Sequence, residues 1–389
     1  MALKHLWLKD FRCFRSVEFV PAGDVTVIRG ANGTGKTSIL ESVGLLATMR
    51  SFRGASREAL VRNGEESAVV RAEVDNAGRQ VLIEAEIPVG RAGRFQVNRQ
   101  PTRRAADLAQ GIRVSVFSPD DLALLQGPPA GRRGFLDGCL VTGDLRMEAL
   151  VAEVERVLRQ RGALLRQRAA RAASDQPRTR SQWGASKEGE QADIDSTFDI
   201  WDERLAGSGS RLAQAREHLV GSLEEPACAA YRHLAGRESR LGLAYRRSWQ
   251  GDLLDALRDG RAEDIRHQAT GRGPHRDELL MTLDGMPART HASQGEQRCV
   301  ALALRLAAHE LATSRFGEPP VLLLDDVFSE LDDKRSALLA ERLPFGQVLL
   351  ATATDPPAAL SGAVIDIAEL RTGGLEEVGH GDSRGDPRE

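Results

Sequence analysis

The residues of this sequence best suited to chemistry begin with GANGTGKT, at positions 30–37. The stretch fits the pattern GxxxxGK(S/T), directly follows the apolar run VTVI and precedes a helical pattern, which is the context of a phosphate-binding loop. Lys36 can reach the β- and γ-phosphates of a nucleotide, and Thr37 can offer its hydroxyl to Mg²⁺. The positive end of the following helix strengthens the attraction for an anion. We therefore predict a nucleotide-phosphate site formed by Gly30, Ala31, Asn32, Gly33, Thr34, Gly35, Lys36 and Thr37.

A second motif, VLLLDD at positions 321–326, is typical of a buried strand because its apolar run is continuous, and it ends in two carboxylates. Asp325 can hold Mg²⁺ in the manner of a Walker B acid. Asp326 can orient an attacking water and accept its proton. We predict that Thr37 and Asp325 bind Mg²⁺ and that Lys36 and Asp326 are catalytic.

A third motif, SQGEQR at positions 293–298, precedes a long apolar-rich run. Ser293 predicts a helix cap, because its hydroxyl can accept a hydrogen bond from the first turn, and Glu296 completes a capping box. Gly295 allows another group to approach the backbone closely. A helix start of this kind attracts anions. The chain therefore contains two helix starts suited to binding a phosphate, one after the P-loop and one at SQGEQR, and they are far apart in sequence.

A fourth motif, SELD at positions 329–332, is by itself only an acidic turn. Taken in this order, the motifs resemble those of ABC-type ATPases, with SQGEQ as the signature motif and SELD as the D-loop. The N-terminal stretch LWLKDFRCFRSVEF resembles the start shared by SMC and RecF proteins. Two longer stretches, FSPDDLALLQGPPAGRRGFLD at 117–137 and GPHRDEL at 273–279, resemble the RecF family itself.

The resemblance implies an ATPase head that binds ATP and Mg²⁺ and closes as an ATP-dependent homodimer around two ATP molecules. Each ATP would lie on the P-loop of one chain. The signature motif of the other chain would complete the site in trans through Ser293, Gln294, Gly295 and Glu296. Asp332 would be the D-loop acid.

Two positions depart from the ABC pattern. Thr354 occupies the place of the switch histidine, and threonine can hydrogen-bond a γ-phosphate but carries no charge, so we expect slow hydrolysis typical of a switch. Asp326 stands where many relatives have glutamate, so the water that it positions must lie closer. A Q-loop is less evident, and residues 118–121 or Gln126 are its candidates.

The RecF-family likeness implies a DNA replication and repair protein with weak, DNA-stimulated ATP hydrolysis. It would bind single- and double-stranded DNA at single-strand gaps and at single-/double-strand junctions. RecR- and RecO-type mediators would be its partners, with a RecA-type recombinase loaded indirectly and a role in the SOS response. The DNA contacts would be mostly to phosphates. The candidate arginines are Arg50, Arg53, Arg57, Arg62, Arg132, Arg133, Arg156, Arg159, Arg161, Arg166, Arg168, Arg171, Arg178 and Arg180.

The composition limits these ideas. The formal net charge is -3, so only local basic clusters can favour nucleic acid, and such clusters are more often solvated surface. Aromatic residues are 4%, so stacking on bases is not expected to be a main binding device. The four cysteines lack metal-ligand spacing and indicate reduced thiols. No signal-peptide pattern or membrane-length apolar run is evident, which predicts a cytoplasmic protein that does not bind membranes.

The elements that would position these motifs indicate an α/β fold, an ABC-type P-loop ATPase head with mixed sheets and an inserted α-helical lobe. Strand patterns occupy the first part of the chain, with a hairpin at DNAG, and they return after about residue 273, ending with AVIDIAELR. Helical spacing dominates between these parts; after the polar tip it resumes around Phe198, Trp201 and Leu205 and runs, broken, to about Arg232. We predict the following division: residues 1–117 and 273–371 as core, 118–272 as helical lobe with a polar mobile tip at 170–195, and 372–389 as a disordered tail.

Other ATPase classes fit less well. The main alternative is an ABC-transporter-type subunit or another SMC-like ATPase that does not act at DNA gaps. DFRCFRS and the helical insertion argue against a transporter subunit, and the insertion is too short for a long SMC-type arm. A nuclease of the overcoming-lysogenisation type would need a C-terminal acidic metal site that this chain does not suggest. His275, in GPHRD, is expected to be structural or to couple lobe and core, because no second histidine stands at ligand spacing.

Overall fold

The structure, a computed structural model, describes residues 1–144, 146–174, 184–343, 346–357, 360 and 362–372. The chain divides into two compact units, one formed by Met1–Pro119 with Glu318–Glu389 and the other by Asp120–Gly317. The described strands are β1 (Ala2–Phe11), β2 (Phe14–Phe19), β3 (Val25–Arg29), β4 (Ser67–Asn76), β5 (Arg79–Pro88), β6 (Arg94–Val97), β7 (Gln100–Thr102), β8 (Val114–Phe117), β9 (Leu241–Arg246), β10 (Glu278–Leu283), β11 (Met286–Pro287), β12 (Val321–Asp325), β13 (Val348–Thr352) and β14 (Ala363–Asp366). The described α-helices are α1 (Lys36–Thr48), α2 (Arg57–Leu60), α3 (Ala105–Ala109), α4 (Ala123–Gln126), α5 (Pro129–Gly143), α6 (Arg146–Ser174), α7 (Gly184–Ala235), α8 (Leu253–Asp259), α9 (Arg261–His267), α10 (Ala288–His291), α11 (Gln294–Phe316), α12 (Asp333–Arg342) and α13 (Ile367–Thr372).

An antiparallel sheet in the first unit has the order β2-β1-β4-β5-β6-β7. Its longest hairpin, β4–β5, turns at the predicted DNAG, where Asn76 pairs with Arg79. Ala77 and Gly78 both have positive φ, 53° and 80°, as a two-residue hairpin turn that follows the strand twist requires. The hairpin prediction is confirmed.

A parallel sheet in the same unit has the order β14-β3-β13-β12-β8. β12 and β13 are buried along their whole length, which explains their continuous apolar sequences. The P-loop follows β3, and Asp325 ends β12. Because β13 lies between these two strands and all three are parallel, their carboxyl ends share one edge of the sheet, where α/β folds place ligands.

Helix α1 packs against both sheets of the first unit. Its residues are almost all buried, including Ile39, Leu40, Val43 and Leu46. A helix that is buried on nearly every side is typical of a central core position. The main hydrophobic core of the unit therefore surrounds the helix that begins at the P-loop, and this core fixes the direction of its N-terminus.

The second unit contains the long helices. A core of residues from α6, α7 and α8 includes Val157, Leu205, Leu212 and Leu257. Helix α11 packs along α7 and also contacts α5. A small antiparallel sheet in the order β11-β10-β9 completes the unit.

Three parts of the structure differ from the sequence predictions. AVIDIAELR is not one strand, because Asp366 Oδ1 accepts a hydrogen bond from Ala368 N at 2.9 Å and caps a helix, α13. The helical pattern predicted to run, broken, to about Arg232 is the single helix α7. The lobe predicted to be helical contains strand β9, whose partner β10 lies after residue 273.

Residues 273–317 were grouped with the core by sequence, but they belong to the second compact unit. The reason is that β10 pairs with β9 and α11 packs on α7. The division into functional domains stays a prediction. Helices α6 and α7 extend into the predicted tip at 170–195; residues 175–183 and the predicted tail from 373 lie outside the described residues. Among the residues that the structure describes, no helix is both long and apolar enough to cross a membrane.

Candidate nucleotide-binding site

The predicted P-loop connects β3 to α1 in the first unit. Gly33 and Gly35 have positive φ, 80° and 108°, so the tight turn depends on glycine at both positions. At Gly35 a Cβ atom would also lie 2.6 Å from Cys13 Sγ and 2.6 Å from Phe14 Cζ. Gly35 is the N-cap of α1 and supplies no capping side chain. Ser38 N donates to Gly35 O at 2.9 Å, and no side chain caps the N–H groups of Lys36 and Thr37 that precede it, which suits a phosphate.

Lys36 is folded into this loop. Its side chain is 6% exposed, and Nζ donates to the carbonyl oxygens of Gly30 at 2.8 Å and Ala31 at 2.9 Å. Thr34 Oγ1 also donates to Ala31 O, at 2.8 Å. These bonds hold the loop in a closed curve around a buried ammonium group. The residues thus fit a nucleotide phosphate, because an anion at this place meets a cation and the N–H groups of a helix start that no side chain caps.

Thr37 and Asp325 meet across the sheet edge, although 288 positions separate them. Thr37 Oγ1 donates to Asp325 Oδ1 at 2.7 Å. Burial raises the pKa of the Asp325 carboxyl above its ordinary value; the neighbouring Asp326 adds to the rise, while Thr37, Arg53 and Lys36 oppose it. A hydroxyl and a carboxylate in contact are hard oxygen ligands, so this pair can contribute to a Mg²⁺ site when a phosphate supplies further oxygens.

Asp326 stands immediately beyond the strand, with a left-handed φ of 50°. Its N–H donates to Ala351 O at 2.9 Å, which fixes the backbone to β13. Its Oδ1 atom is buried and has no hydrogen-bond partner within the described part of the chain. A buried carboxylate oxygen without a partner is costly unless a water or ligand satisfies it. The position suits a carboxylate that holds a water.

The predicted switch position follows β13 on the same sheet edge. Thr354 is exposed, and its N–H donates to Thr352 Oγ1 at 3.1 Å. Thr352 Oγ1 in turn donates to Thr354 O at 3.0 Å, so the end of β13 turns tightly there. Asp332, the predicted D-loop acid, is exposed and caps α12 by accepting from Arg335 N at 2.8 Å. The structure thus places Lys36 and Thr354 beyond the carboxyl ends of β3 and β13, and Asp325 at the carboxyl end of the neighbouring β12.

The predicted signature motif lies in the second unit, at the start of α11. The capping box is present: Ser293 Oγ accepts from Glu296 N at 3.4 Å, and Glu296 Oε2 accepts from Ser293 N at 2.7 Å. Ser293 and Gln294 are exposed, so the helix start is open to another molecule. The capping-box prediction is confirmed.

Gln297 is a polar residue of this motif that the sequence did not single out. It is 6% exposed, and its Nε2 donates to the carbonyl oxygens of Ala292 at 3.0 Å and Arg289 at 3.1 Å. Its Oε1 accepts from Gln126 Nε2 at 2.8 Å. Gln126, a Q-loop candidate, therefore contacts α11, which we call the signature helix because it begins within the predicted signature motif. The signal in the sequence that could have identified Gln297 was a polar glutamine at the start of a long apolar-rich helical run.

Several arginines that the sequence offered as DNA contacts are already used inside the protein. Arg132 is 4% exposed and binds Glu278 at 2.6 and 3.0 Å. Arg161 is fully buried between Asp202 and Asp264. We correct these two assignments, because a guanidinium enclosed by carboxylates cannot reach a phosphate.

The other arginines that the sequence offered as DNA contacts differ in how far they are engaged. Arg62 is paired with Asp10 and Glu65, and Arg133 donates to Asp277 O at 2.9 Å, so both are partly engaged. The exposed members are Arg50, Arg53, Arg57, Arg156, Arg159 and Arg166. The side chains of Arg171, Arg178 and Arg180 lie outside the described part. Arg53 is also close enough to Asp325 to lower the pKa of that carboxyl, a proximity that the sequence could not show.

GPHRD forms a polar network within the second unit. Asp277 is fully buried and accepts from Tyr245 Oη at 2.5 Å and Ser248 N at 2.8 Å. His275 Nε2 lies 2.9 Å from Thr270 O, and burial lowers the pKa of His275 to about 4. Within the described ranges no cluster of three potential metal ligands is found. These contacts support the structural interpretation over a metal site.

Comparison with known proteins places this geometry in a family. The RecF/RecN/SMC N terminal domain family matches residues 2–355. The DNA replication and repair protein RecF of Frankia alni is 41% identical over 380 residues, covering 93% of this chain and 96% of that protein. RecF of Kineococcus radiotolerans is 38% identical over 401 residues, covering 96% of this chain and 98% of that protein.

Solved structures agree. A structure described as the recombination mediator protein RecF-ATPrS in the RecFOR pathway has a TM-score of 0.80 and 25% identity, covering 94% of this chain and 96% of that chain. An SMC head bound to the C-winged helix domain of ScpA, 16% identical with a TM-score of 0.54, shares the fold. The predicted ABC-type ATPase head is thereby confirmed. This chain belongs to the RecF family of DNA replication and repair proteins, within the wider group of SMC-like ATPases.

Proposed function

We propose that this protein is an ATP-driven DNA clamp that acts in repair at single-strand gaps and single-/double-strand junctions. The observation that carries the proposal is the joining of the P-loop to the Walker B strand by the 2.7 Å hydrogen bond between Thr37 and Asp325, with Lys36 buried beside it. The relatives named for DNA replication and repair, and the RecF structures described with ATP or ATPrS, support the same ligand and process.

ATP is the proposed ligand of Gly30, Ala31, Asn32, Gly33, Thr34, Gly35, Lys36 and Thr37. Lys36 would exchange its two carbonyl bonds for phosphate oxygens, and the N–H groups of α1 would bind the same anion. Thr37 and Asp325 would hold Mg²⁺, which when bound neutralises phosphate charge. Their existing hydrogen bond brings both oxygens to one place and so supports this assignment.

Asp326 is the proposed general base. Its unsatisfied Oδ1 can accept a hydrogen bond from the attacking water and then its proton. Thr354 can donate to a γ-phosphate but cannot add a positive charge there. Weak, DNA-stimulated hydrolysis that reopens the clamp is the consequence that we infer.

The second half of the site would come from another copy of the chain. Ser293, Gln294, Gly295 and Glu296 would approach the γ-phosphate in trans, with Asp332 at the dimer interface. The exposed, capped start of α11 supports this role, because a helix N-terminus binds anions through its first N–H groups. ATP would thus join two protomers, and hydrolysis would release them.

DNA would be bound mainly through phosphates. Arg50, Arg53 and Arg57 are exposed on the segment that follows α1, and they are the candidates that the first unit leaves available. RecR- and RecO-type mediators are the proposed partners, through which a RecA-type recombinase would be loaded and the SOS response assisted. The RecFOR pathway named for the similar structures supports these partners.

Replacing Asp326 by asparagine should separate binding from turnover. Asp326→Asn keeps the size of the side chain but cannot accept a proton, so ATP hydrolysis should fall by at least about a hundredfold. The ATP-bound dimer should persist, because the phosphate contacts remain. Single-turnover hydrolysis and light scattering after ATP removal measure these two effects.

A matched control is Asp24→Asn, at the opposite, exposed end of β3. That variant removes the same charge far along the strand and should hydrolyse ATP like the wild type. Turnover at the wild-type rate by Asp326→Asn would mean that another group is the base.

The DNA proposal is tested by anisotropy of a labelled gapped duplex titrated with protein and ATP at several salt concentrations. We expect tighter binding with ATP than without it, and affinity that falls steeply with salt. Arg50→Ala/Arg57→Ala should weaken binding and lower the log–log salt slope by about 1.8, or about 0.9 per lost phosphate contact. Arg53 is left intact, because it lies near Asp325.

Arg71→Ala is the control for the loss of surface charge. Arg71 is 48% exposed but bonded to Glu84, so its charge is already offset. We expect its removal to leave the salt slope unchanged. A flat salt response in the wild-type protein would contradict the phosphate-clamp proposal.

A further inference from the structure

The first turn of the signature helix, α11, carries a negative charge close to the place where the helix is proposed to bind a phosphate. Glu296 lies in the first turn of α11, three residues from Ser293, and its side chain is only 19% exposed. Hydrogen bonds from the Ser293 backbone and hydroxyl, with the nearby Arg237, lower the pKa of Glu296, so the carboxylate keeps its negative charge near neutral pH. A fixed negative charge beside a γ-phosphate would oppose its approach.

Ser293 is also occupied by the same carboxylate. Its hydroxyl donates to Glu296 Oε2 at 2.8 Å, and its backbone N–H donates to that oxygen at 2.7 Å. The serine must release its hydroxyl from Glu296 before it can donate to a phosphate. A group that holds and neutralises Glu296 from its other oxygen would favour this release.

Arg237 is such a group. Its guanidinium donates to Glu296 Oε1, the oxygen that Ser293 does not use. Arg237 follows the end of α7, where Gly236 has a φ of 60° and donates to Arg232 O at 3.1 Å. The guanidinium also lies near the fully buried Tyr231 hydroxyl, whose pKa is raised by burial and lowered by this neighbour. The end of α7 therefore fixes the arginine relative to the signature helix.

We propose that Arg237 is a positioning residue for trans ATP binding: it offsets the charge of Glu296 and draws that carboxylate away from Ser293. This inference rests on the proposed function, because it assumes that Ser293 meets a γ-phosphate of another protomer. A purely structural role is a poorer explanation. Arg237 is 50% exposed, and ion pairs at such exposure contribute little to folding, whereas closure of the dimer would remove solvent and strengthen the pair.

The test measures the protein concentration at which half of the full-length protein dimerises with ATP, by light scattering. Arg237→Ala should raise that concentration by about tenfold, as expected when one charge-assisted hydrogen bond is lost. Arg237→Lys should recover part of the loss, because the positive charge remains. Arg240→Ala, three residues further on and also exposed, should behave as the wild type.

A double-mutant cycle with Glu296→Gln separates charge from packing. Glutamine is also a capping-box residue, so the helix cap can form without the negative charge. If Arg237 acts by offsetting Glu296, then Arg237→Ala should have a much smaller effect in the Glu296→Gln background than in the wild-type background. Thermal melting confirms that each variant is folded, and Arg237→Gln replaces Arg237→Ala if the alanine variant is not.

The outcomes distinguish this inference from the function beneath it. A folded Arg237→Ala that dimerises like the wild type, or an equal loss in both backgrounds, overturns the role of Arg237. Failure of the wild-type protein to dimerise with ATP overturns the proposed function itself. A tenfold loss that Glu296→Gln suppresses supports both.

Discussion

Lys36→Ala is expected to abolish ATP-dependent dimerisation. The Lys36 ammonium is the buried cation of the P-loop, and its two bonds to Gly30 O and Ala31 O mark the place where phosphate oxygens would bind. Removing it leaves the α1 N-terminus alone to attract a highly charged ligand. ATP affinity should fall by at least about a hundredfold, since the lost contacts are charge-assisted and largely desolvated.

The measurement is light scattering with and without ATP, beside binding of a fluorescent nucleotide. Lys9→Ala, at an exposed position of β1, is the matched control and should dimerise normally. Thermal melting without nucleotide shows whether loss of the two internal bonds also destabilises the first unit. An unchanged increase in mass on adding ATP to a folded Lys36→Ala protein would remove the P-loop assignment.

Ser293→Arg is expected to spare ATP binding by the monomer but to prevent dimerisation, whereas Lys36→Ala weakens ATP binding itself. Ser293 is exposed at the start of α11 in the second unit, whereas the P-loop belongs to the first. Arginine cannot accept the capping hydrogen bond, which costs about 1 kcal/mol of helix stability, and its bulk would block a trans phosphate. Monomeric ATP binding should stay close to wild type, while dimerisation and hydrolysis are lost. Ser293→Thr retains the hydroxyl and should therefore keep much of both the ATP-dependent dimerisation and the ATP hydrolysis.

Mixing the two variants tests the trans arrangement directly. A heterodimer of Lys36→Ala and Ser293→Arg chains has one site with an intact P-loop and an intact signature motif, and one site with neither. A 1:1 mixture of two inactive proteins should therefore regain up to about half of wild-type hydrolysis, because neither variant is expected to dimerise with itself and each mixed dimer has one intact site of two. Complete inactivity of the mixture, with heterodimers present, would favour a site completed within one chain.

Local motifs were predictable because their physical causes are local. The DNAG turn needs two residues with positive φ, and Ala77 and Gly78 adopt them. The capping box at Ser293 joins groups three residues apart, and the P-loop is one continuous segment. In contrast, the strand predicted at AVIDIAELR was partly wrong, since one side-chain bond from Asp366 was enough to start a helix there.

The sequence by itself determined the ligand chemistry and the family resemblance, because glycine conformations, capping bonds and the residues of the phosphate loop depend on neighbours along the chain. Only the tertiary structure decided which distant groups meet. Thr37 bonds Asp325 across 288 positions because β13 sets β3 and β12 one strand apart in a parallel sheet. Arg132 and Arg161 cannot contact DNA because packing buries them against carboxylates. Arg237 reaches Glu296 across 59 positions because α7 packs along α11. The physical reason is the same in each case. The residue type determines the charge and shape of a side chain, but the packing of elements that are remote along the chain determines its solvent exposure and its partner.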